Sequence, residues 1–128
     1  ELAFHRGHGA AATVALVRPH SQWGVARLET DGDRIQGFEE KPRMDQWVNG
    51  GFMLCEPRVL DRLEPGSVLE RKPLERLAAA GELRGFRHEG FWECMDTYKD
   101  AVVLEDLWGT GSPPWRIWEE APAPVAGR

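Results

Sequence analysis

Cysteine is scarce in this sequence. Cys55 and Cys94 are the only two, far apart and in no C-x-x-C arrangement, which argues against a disulfide framework and a zinc knuckle and marks both as packing residues in a reducing compartment. No apolar run approaches the roughly 20 residues that a membrane helix requires, and no signal-peptide pattern opens the chain. A cytoplasmic protein without a membrane partner is expected. Blocks of Lys or Arg are missing as well. The formal charge of −5 is spread along the 128 residues, so the electrostatic footprint of a nucleic-acid binder is absent. There is no internal repeat, no low-complexity stretch and no Ser-His or Cys-His nucleophile motif. What is ordinary is the 41% hydrophobic content, enough for one domain, or part of one, with a real core.

The apolar residues are grouped by secondary structure. Residues 1 to 9 read as the last turns of a helix stopped by Gly9 in the left-handed conformation, an exposed helix end. His5 and His8 lie three apart on it and could share a metal, but Gly7 weakens the helix between them and no third ligand is nearby. Residues 12 to 17, Ala-Thr-Val-Ala-Leu-Val, predict a central strand buried on both faces. Residues 24 to 40 predict two antiparallel strands around Thr30-Asp-Gly-Asp33, with Asp31-Gly32 supplying positive φ angles for a tight turn. Val48 to Glu56 predicts a further strand, and Arg58 to Leu63 a short helix with apolar positions 59, 60 and 63. A helix from about Pro73 to a stop at Gly81 presents Leu74, Leu77 and Ala78 to a core. The charges around it, including the Arg71 and Glu75 pair, form its solvated flank. Residues 82 to 88 predict a weaker strand.

Two stretches carry chemistry. In residues 38 to 55 a strand ends in Glu40-Lys41-Pro42, where the proline pushes Lys41 toward an extended backbone and presents both side chains from a strand end. A lysine held there suits a phosphate. Asn49 next offers an amide donor and a carbonyl acceptor, and Gly50 and Gly51 let a ligand approach the backbone. The alternative is a solvated charged loop with glycines as turn formers. In the second stretch, Thr97 and Asp100 form a capping box opening a helix from Tyr98 to Trp108, stopped at Gly109. Asp96, just ahead of it, is either one more helix-start carboxylate or a metal ligand aimed into a cleft. Trp115 and Trp118 read as packing or subunit-contact residues.

The run Gly37-Phe-Glu-Glu-Lys-Pro42, with Trp47-Val-Asn-Gly-Gly-Phe52, Pro73-Leu-Glu-Arg-Leu77, His88-Glu-Gly-Phe-Trp92, Met95-Asp-Thr97 and Pro114-Trp115, resembles the sugar-nucleotide pyrophosphorylases. Within that family it resembles the bacterial glucose-1-phosphate cytidylyltransferases, whose branch the Asn-Gly-Gly version of the middle motif favours. The resemblance runs from Glu1 to about Trp118 and covers the C-terminal half of such an enzyme. The family's opening strand, its Gly-rich phosphate loop and its first metal-binding aspartate are not in this sequence.

That resemblance implies an α/β architecture, a Rossmann-like nucleotide-diphospho-sugar transferase fold of which residues 1 to 120 supply the C-terminal half, including the sugar-binding sheet, with 121 to 128 a frayed tail. It implies transfer of CMP from CTP to glucose 1-phosphate, Mg²⁺ as cofactor, a homo-oligomer, and a place in nucleotide-sugar supply of the O-antigen type. By the same resemblance Lys41 holds the sugar phosphate, Glu40 and Asn49 bond the sugar hydroxyls, backbone groups at Gly24 and Gly50 complete the pocket, Trp92 walls it, and Asp96 is the second carboxylate on Mg²⁺. Two alternatives stand: a uridylyl-, thymidylyl- or guanylyltransferase on a sugar 1-phosphate, and a non-catalytic sugar-phosphate-binding module, which would have no need of the metal ligand. The 128 residues by themselves are expected to be inactive and to associate through the apolar strand at 12 to 17.

Overall fold

The computed structural model describes residues 1 to 118, so the tail at 121 to 128 lies outside the described residues. The chain divides into two compact units, one from Glu1 to Trp92 and one beginning at Glu93. In the first, the apolar run folds as strand β1 (Ala12–Val17), with every residue but Leu16 buried. It is central. β4 (Val48–Cys55) pairs with it antiparallel along one edge, and β5 (Leu83–Arg87) pairs parallel along the other.

Because side chains alternate across a strand, β1 needs cover on both faces. On one face Ala12, with neighbouring Ala11, meets Val59 and Leu77, with Leu74 and Leu83 packed beside them. Leu77 belongs to helix α2 (Lys72–Ala79), and Val59 to a 3₁₀ turn over Pro57–Arg62. On the other face Thr13 meets His5 and His8 of helix α1 (Leu2–His8), and the Phe4 ring lies 5.7 Å from Phe86 of β5. No helix among the described residues is long and apolar enough to cross a membrane.

A two-stranded sheet, β2 (Val25–Leu28) and β3 (Ile35–Glu39), stands apart from the three-stranded one. The second unit carries helix α3 (Tyr98–Gly109).

Several expectations need correction. α1 stops at Gly9, at φ 67, and is exposed along most of its length as expected, but one residue is not: His5 is 6% exposed. The chain reverses at Gly9 and lays α1 on the sheet. Neither Asp31 nor Gly32 has a positive φ. The β2–β3 connection is instead a loop over residues 29 to 34, closed by the Glu29 N–H on the Arg34 carbonyl at 3.0 Å, with an irregularity in pairing at Leu28. A loop of that length has no use for the left-handed pair of a two-residue turn. Leu60 is 67% exposed, because the 3₁₀ turn buries Val59 alone. Helix α3 continues through Gly109, and the left-handed residue after it is Gly111. Arg76 rather than Arg71 finds a carboxylate, Glu64 at 2.9 Å.

Leu77 is 1% exposed at the centre of the α2 face. Leu77→Ala is expected to lower the unfolding free energy by about 2–5 kcal/mol, and Leu60→Ala by no more than about 0.5 kcal/mol. Urea unfolding of the two variants checks the contrast.

Candidate active site

Lys41 sits where two loops are fastened together. Residues 18 to 23 leave β1 and residues 40 to 44 leave β3, and the hairpin between them brings the two loops side by side. The Met44 N–H donates to the Pro19 carbonyl at 2.9 Å and the Ser21 N–H to the Pro42 carbonyl at 2.8 Å. His20 Nδ1 donates to the Lys41 carbonyl at 3.1 Å, and Arg43 Nε to the Arg18 carbonyl at 3.2 Å.

These bonds overrule the proline. An extended Lys41 is expected before Pro42, yet its φ is 49, which makes it the only non-glycine residue with positive φ among those described. Holding an L-residue there costs roughly 1–2 kcal/mol, and such strain persists only where the surroundings over-determine it. Here the carbonyls on both sides of the Lys41–Pro42 step are claimed by the opposite loop, and its exposed side chain is left facing outward from the turn.

Gly24 and Glu40 are brought together. A Cβ on Gly24 would lie 2.5 Å from Phe38 Cζ and 2.9 Å from Glu40 Oε2, so the missing side chain is what admits both groups. Glu40 therefore lies over the Gly24 backbone, beside Lys41.

The Asn49-Gly50-Gly51 segment forms an outward bend in β4: the pairing jumps from Val14 opposite Met53 to Leu16 opposite Asn49. Gly51 makes the bend at φ 89. Asn49 does not offer both of its polar atoms freely, because its Oδ1 accepts the Gly51 N–H at 2.9 Å. The amide NH₂ remains as a donor. Gly50 is buried, and a Cβ there would fall 3.0 Å from Val17 Cγ1 and 3.1 Å from the Ala15 carbonyl oxygen. Its carbonyl accepts the Trp92 indole N–H at 3.1 Å, which fixes that ring against β4. Asn49, opposite Leu16, lines a cavity of about 340 Å³ with Val14, Leu74 and Ala78 on the α2 side of the sheet. The structure thus joins Gly24 with Glu40, the residue before Lys41, and Gly50 with Trp92, while it turns Asn49 toward α2.

The sequence reading missed His20 and the Arg18–Trp47–Arg87 group, in which the two guanidinium carbons lie 4.8 and 5.7 Å from the Trp47 ring centroid. A signal for His20 existed. Extending the pairing of Val25 with Glu39 outward puts Ser21 opposite Arg43, one residue from the bridge that His20 makes with Arg43.

In the second unit the predicted capping box is present. Thr97 Oγ1 accepts the Asp100 N–H at 3.3 Å, and Asp100 Oδ2 accepts the N–H groups of Thr97 at 2.9 Å and Asp96 at 3.2 Å. The Thr97 hydroxyl and backbone bonds hold the Asp100 carboxyl below its ordinary value of 3.8. Its share of the cap is therefore complete above that value and is lost as the pH falls through the lower, folded-state one. The Asp96 side chain takes no part in the cap. Burial first, then the carboxylates of Asp100, Asp96 and Glu93, push the Cys94 thiol up. Burial also raises the Cys55 thiol, though this residue, expected in packing, is exposed. Among the described residues no group of three or more His, Cys, Asp or Glu side chains could hold a metal.

Thr97→Ala is expected to destabilise α3 by about 1 kcal/mol. Asp96→Asn should leave the thermal transition in place, because an amide can still cap a helix, and Asp96→Ala should leave it in place only if Asp96 is no cap. Circular dichroism melts of Thr97→Ala and Asp96→Ala separate cap from non-cap, and an Asp96→Ala loss as large as that of Thr97→Ala would return Asp96 to a capping role.

No family model matches the chain. The glucose-1-phosphate cytidylyltransferases of Salmonella typhi and Salmonella typhimurium are each 41% identical to it over 120 residues, 92% of this chain and 46% of theirs. Mannose-1-phosphate guanyltransferase beta-A of Xenopus laevis is 34% identical over 108 residues, 80% of this chain and 30% of the relative. A crystal structure described as a glucose-1-phosphate thymidylyltransferase from Bacillus anthracis, in complex with a sucrose, matches at a TM-score of 0.55 and 18% identity, over 83% of this chain and 46% of that one. At that identity the likeness shows the fold, a nucleotidyltransferase-like α/β fold. The chain spans about half the length of the curated cytidylyltransferases it matches. Over that span it is a part-length relative of the sugar-nucleotide pyrophosphorylases, the glucose-1-phosphate cytidylyltransferases among them.

Proposed function

We propose that this chain supplies the sugar-phosphate side of a nucleotidyltransferase that forms CDP-glucose and pyrophosphate from CTP and glucose 1-phosphate. The observation that carries the reading is the fastened turn around Lys41, a strained lysine beside Glu40 and Gly24, in a chain similar to cytidylyltransferases over 92% of its length. Strain held by four cross-loop hydrogen bonds has no evident use in a merely solvated loop.

The chemistry matches the residues at hand. An already ionised phosphate oxygen of glucose 1-phosphate attacks the α-phosphorus of CTP in line. The new P–O bond forms as the bond to the β-phosphate oxygen breaks, and pyrophosphate leaves. No side-chain nucleophile or general base is required, and the work is positioning and charge neutralisation. Lys41 holds the sugar phosphate, and Glu40, lying over the Gly24 backbone, accepts hydrogen bonds from sugar hydroxyls. For Asn49, Gly50 and Trp92 the resemblance alone supports a place at the sugar: on β4 Asn49 keeps its NH₂ as a donor on the α2 side, and buried Gly50 gives its carbonyl to Trp92.

Asp96 is the carboxylate offered to Mg²⁺. It fits, since its hard oxygens are not consumed by the helix cap, and Mg²⁺ is commonly held by one or two carboxylates plus substrate phosphates. When bound, the ion neutralises charge on the phosphates. Support for CTP comes from the Asn-Gly-Gly motif and the cytidylyltransferase relatives. The guanyltransferase relative keeps another base as the competing reading. A homo-oligomeric, cytoplasmic enzyme completes the proposal.

In the complete enzyme, Lys41→Ala is expected to lower kcat/KM for glucose 1-phosphate by about 10- to 100-fold, the worth of a charge-assisted hydrogen bond, and to change that for CTP much less. Asp96→Asn should raise the Mg²⁺ concentration needed for half-maximal rate. Steady-state pyrophosphate release with each substrate varied measures both. An unchanged kcat/KM for the sugar phosphate in Lys41→Ala would end the assignment of Lys41, and retained binding of glucose 1-phosphate without pyrophosphate release in the wild type would favour the non-catalytic module.

A further inference from the structure

The His5 and His8 side chains are absorbed by nothing in the proposed reaction, yet they sit at the most deeply buried polar point of the first unit. Thr13 is 0% exposed, and its Oγ1 lies 2.8 Å from His5 Nδ1 and 2.8 Å from His8 Nε2. At the outer ends, the Ala10 N–H donates to His8 Nδ1 at 3.0 Å, and His5 Nε2 lies 3.2 Å from Glu56 Oε1.

One backbone group sets the direction of the whole chain of bonds. Since His8 Nδ1 accepts from a peptide N–H, it carries no proton, so His8 Nε2–H donates to Thr13 Oγ1. The threonine hydroxyl then donates to His5 Nδ1, and His5 Nε2–H donates to Glu56. Every donor meets an acceptor only while His8 is neutral.

We propose that this relay is a proton-operated latch that holds α1 on the sheet and releases it on acidification. A second proton on His8 would set two N–H groups face to face at Ala10, leaving one buried and unsatisfied. A second proton on His5 is better tolerated, because Glu56, 49% exposed, takes it as an ion pair, but the two rings are 5.4 Å apart and charges on both repel. The other charged groups around the latch are already engaged: Arg58 donates to the Gly9 carbonyl, and Glu82 accepts from the Ala11 N–H and from Arg58. Glu1 precedes α1, with a buried carboxylate oxygen. Phe4 covers the His8 ring edge-on at 5.1 Å. Protonation of His8 at Nδ1 removes the acceptor of the Ala10 N–H, so docking weakens as the pH falls. His20 and His88 differ in kind. Each ring is held by one bond to a carbonyl, which a protonated ring also makes.

Hydrogen–deuterium exchange of the 128-residue chain tests this, with protection over residues 5 to 10 corrected for intrinsic rates and followed from pH 8 to 5.5, across the range where an ordinary imidazole gains its second proton. Protection in the wild type is expected to fall by at least about tenfold across that interval. His8→Asn, whose side-chain oxygen can still accept the Ala10 N–H but cannot titrate, should show a flat profile, even if its protection is lower throughout. The double variant His20→Gln, His88→Gln should keep the wild-type response. A flat wild-type profile, a His8→Asn profile that falls in parallel with it, or a response that vanishes in the double variant would overturn the latch.

Discussion

The interaction on which this chain depends is the burial of β1. A strand with so few polar atoms cannot stand at a sheet edge or face water, so both edges must be paired and both faces covered. Each of the other elements of the three-stranded sheet answers one of those demands. β4 and β5 take the edges, α2 and the 3₁₀ turn cover one face through Leu77 and Val59, and α1 covers the other. The single polar side chain buried in β1, Thr13, meets imidazoles rather than hydrocarbon, which is why α1 is attached by a relay and α2 by packing.

The candidate site grows from the end of that strand. Once β1 stops at Val17 the chain turns out to the hairpin and returns, and the two loops so juxtaposed bond to each other. This places Lys41 in a backbone conformation that neither lysine nor a following proline favours. The cost is offset by bonds from Ser21, His20 and Arg43, so the position of the ammonium depends on residues remote from it in sequence. Gly24 and Gly50 serve the same turn and strand in another way, by omitting a Cβ where Phe38, Glu40 and Val17 need the space.

The sequence made some of this legible and not the rest, for physical reasons. Where one local rule acts alone it was enough. Residues 12 to 17 have no polar face, Gly9 is the only stop available to α1, and Thr97 with Asp100 can satisfy the first turn of α3 reciprocally. Where a long-range bond competes with a local preference, the local rule failed. Pro42 argues for an extended Lys41, but Ser21 and His20 lie beyond any window that includes it. Asp31-Gly32 argues for a tight turn, but the irregular pairing at Leu28 lengthened the loop. His5 reads as a helix-end residue because nothing nearby in sequence announces Thr13 or Glu56 as its partners. The chemical identity of Glu40, Lys41, Asn49 and Asp96 was readable, whereas which of their atoms remain free was not, as the engagement of Asn49 Oδ1 by Gly51 illustrates.

The proposed role of the fastened turn is to present Lys41 to the phosphate of a sugar 1-phosphate. Calorimetric titration of the protein with glucose 1-phosphate, in the absence of nucleotide, tests it most directly when run beside glucose and beside Lys41→Ala. Measurable binding of glucose 1-phosphate is expected, weaker by about tenfold or more when either the ammonium or the phosphate is removed. Equal affinity of the wild type and Lys41→Ala for glucose 1-phosphate would contradict it.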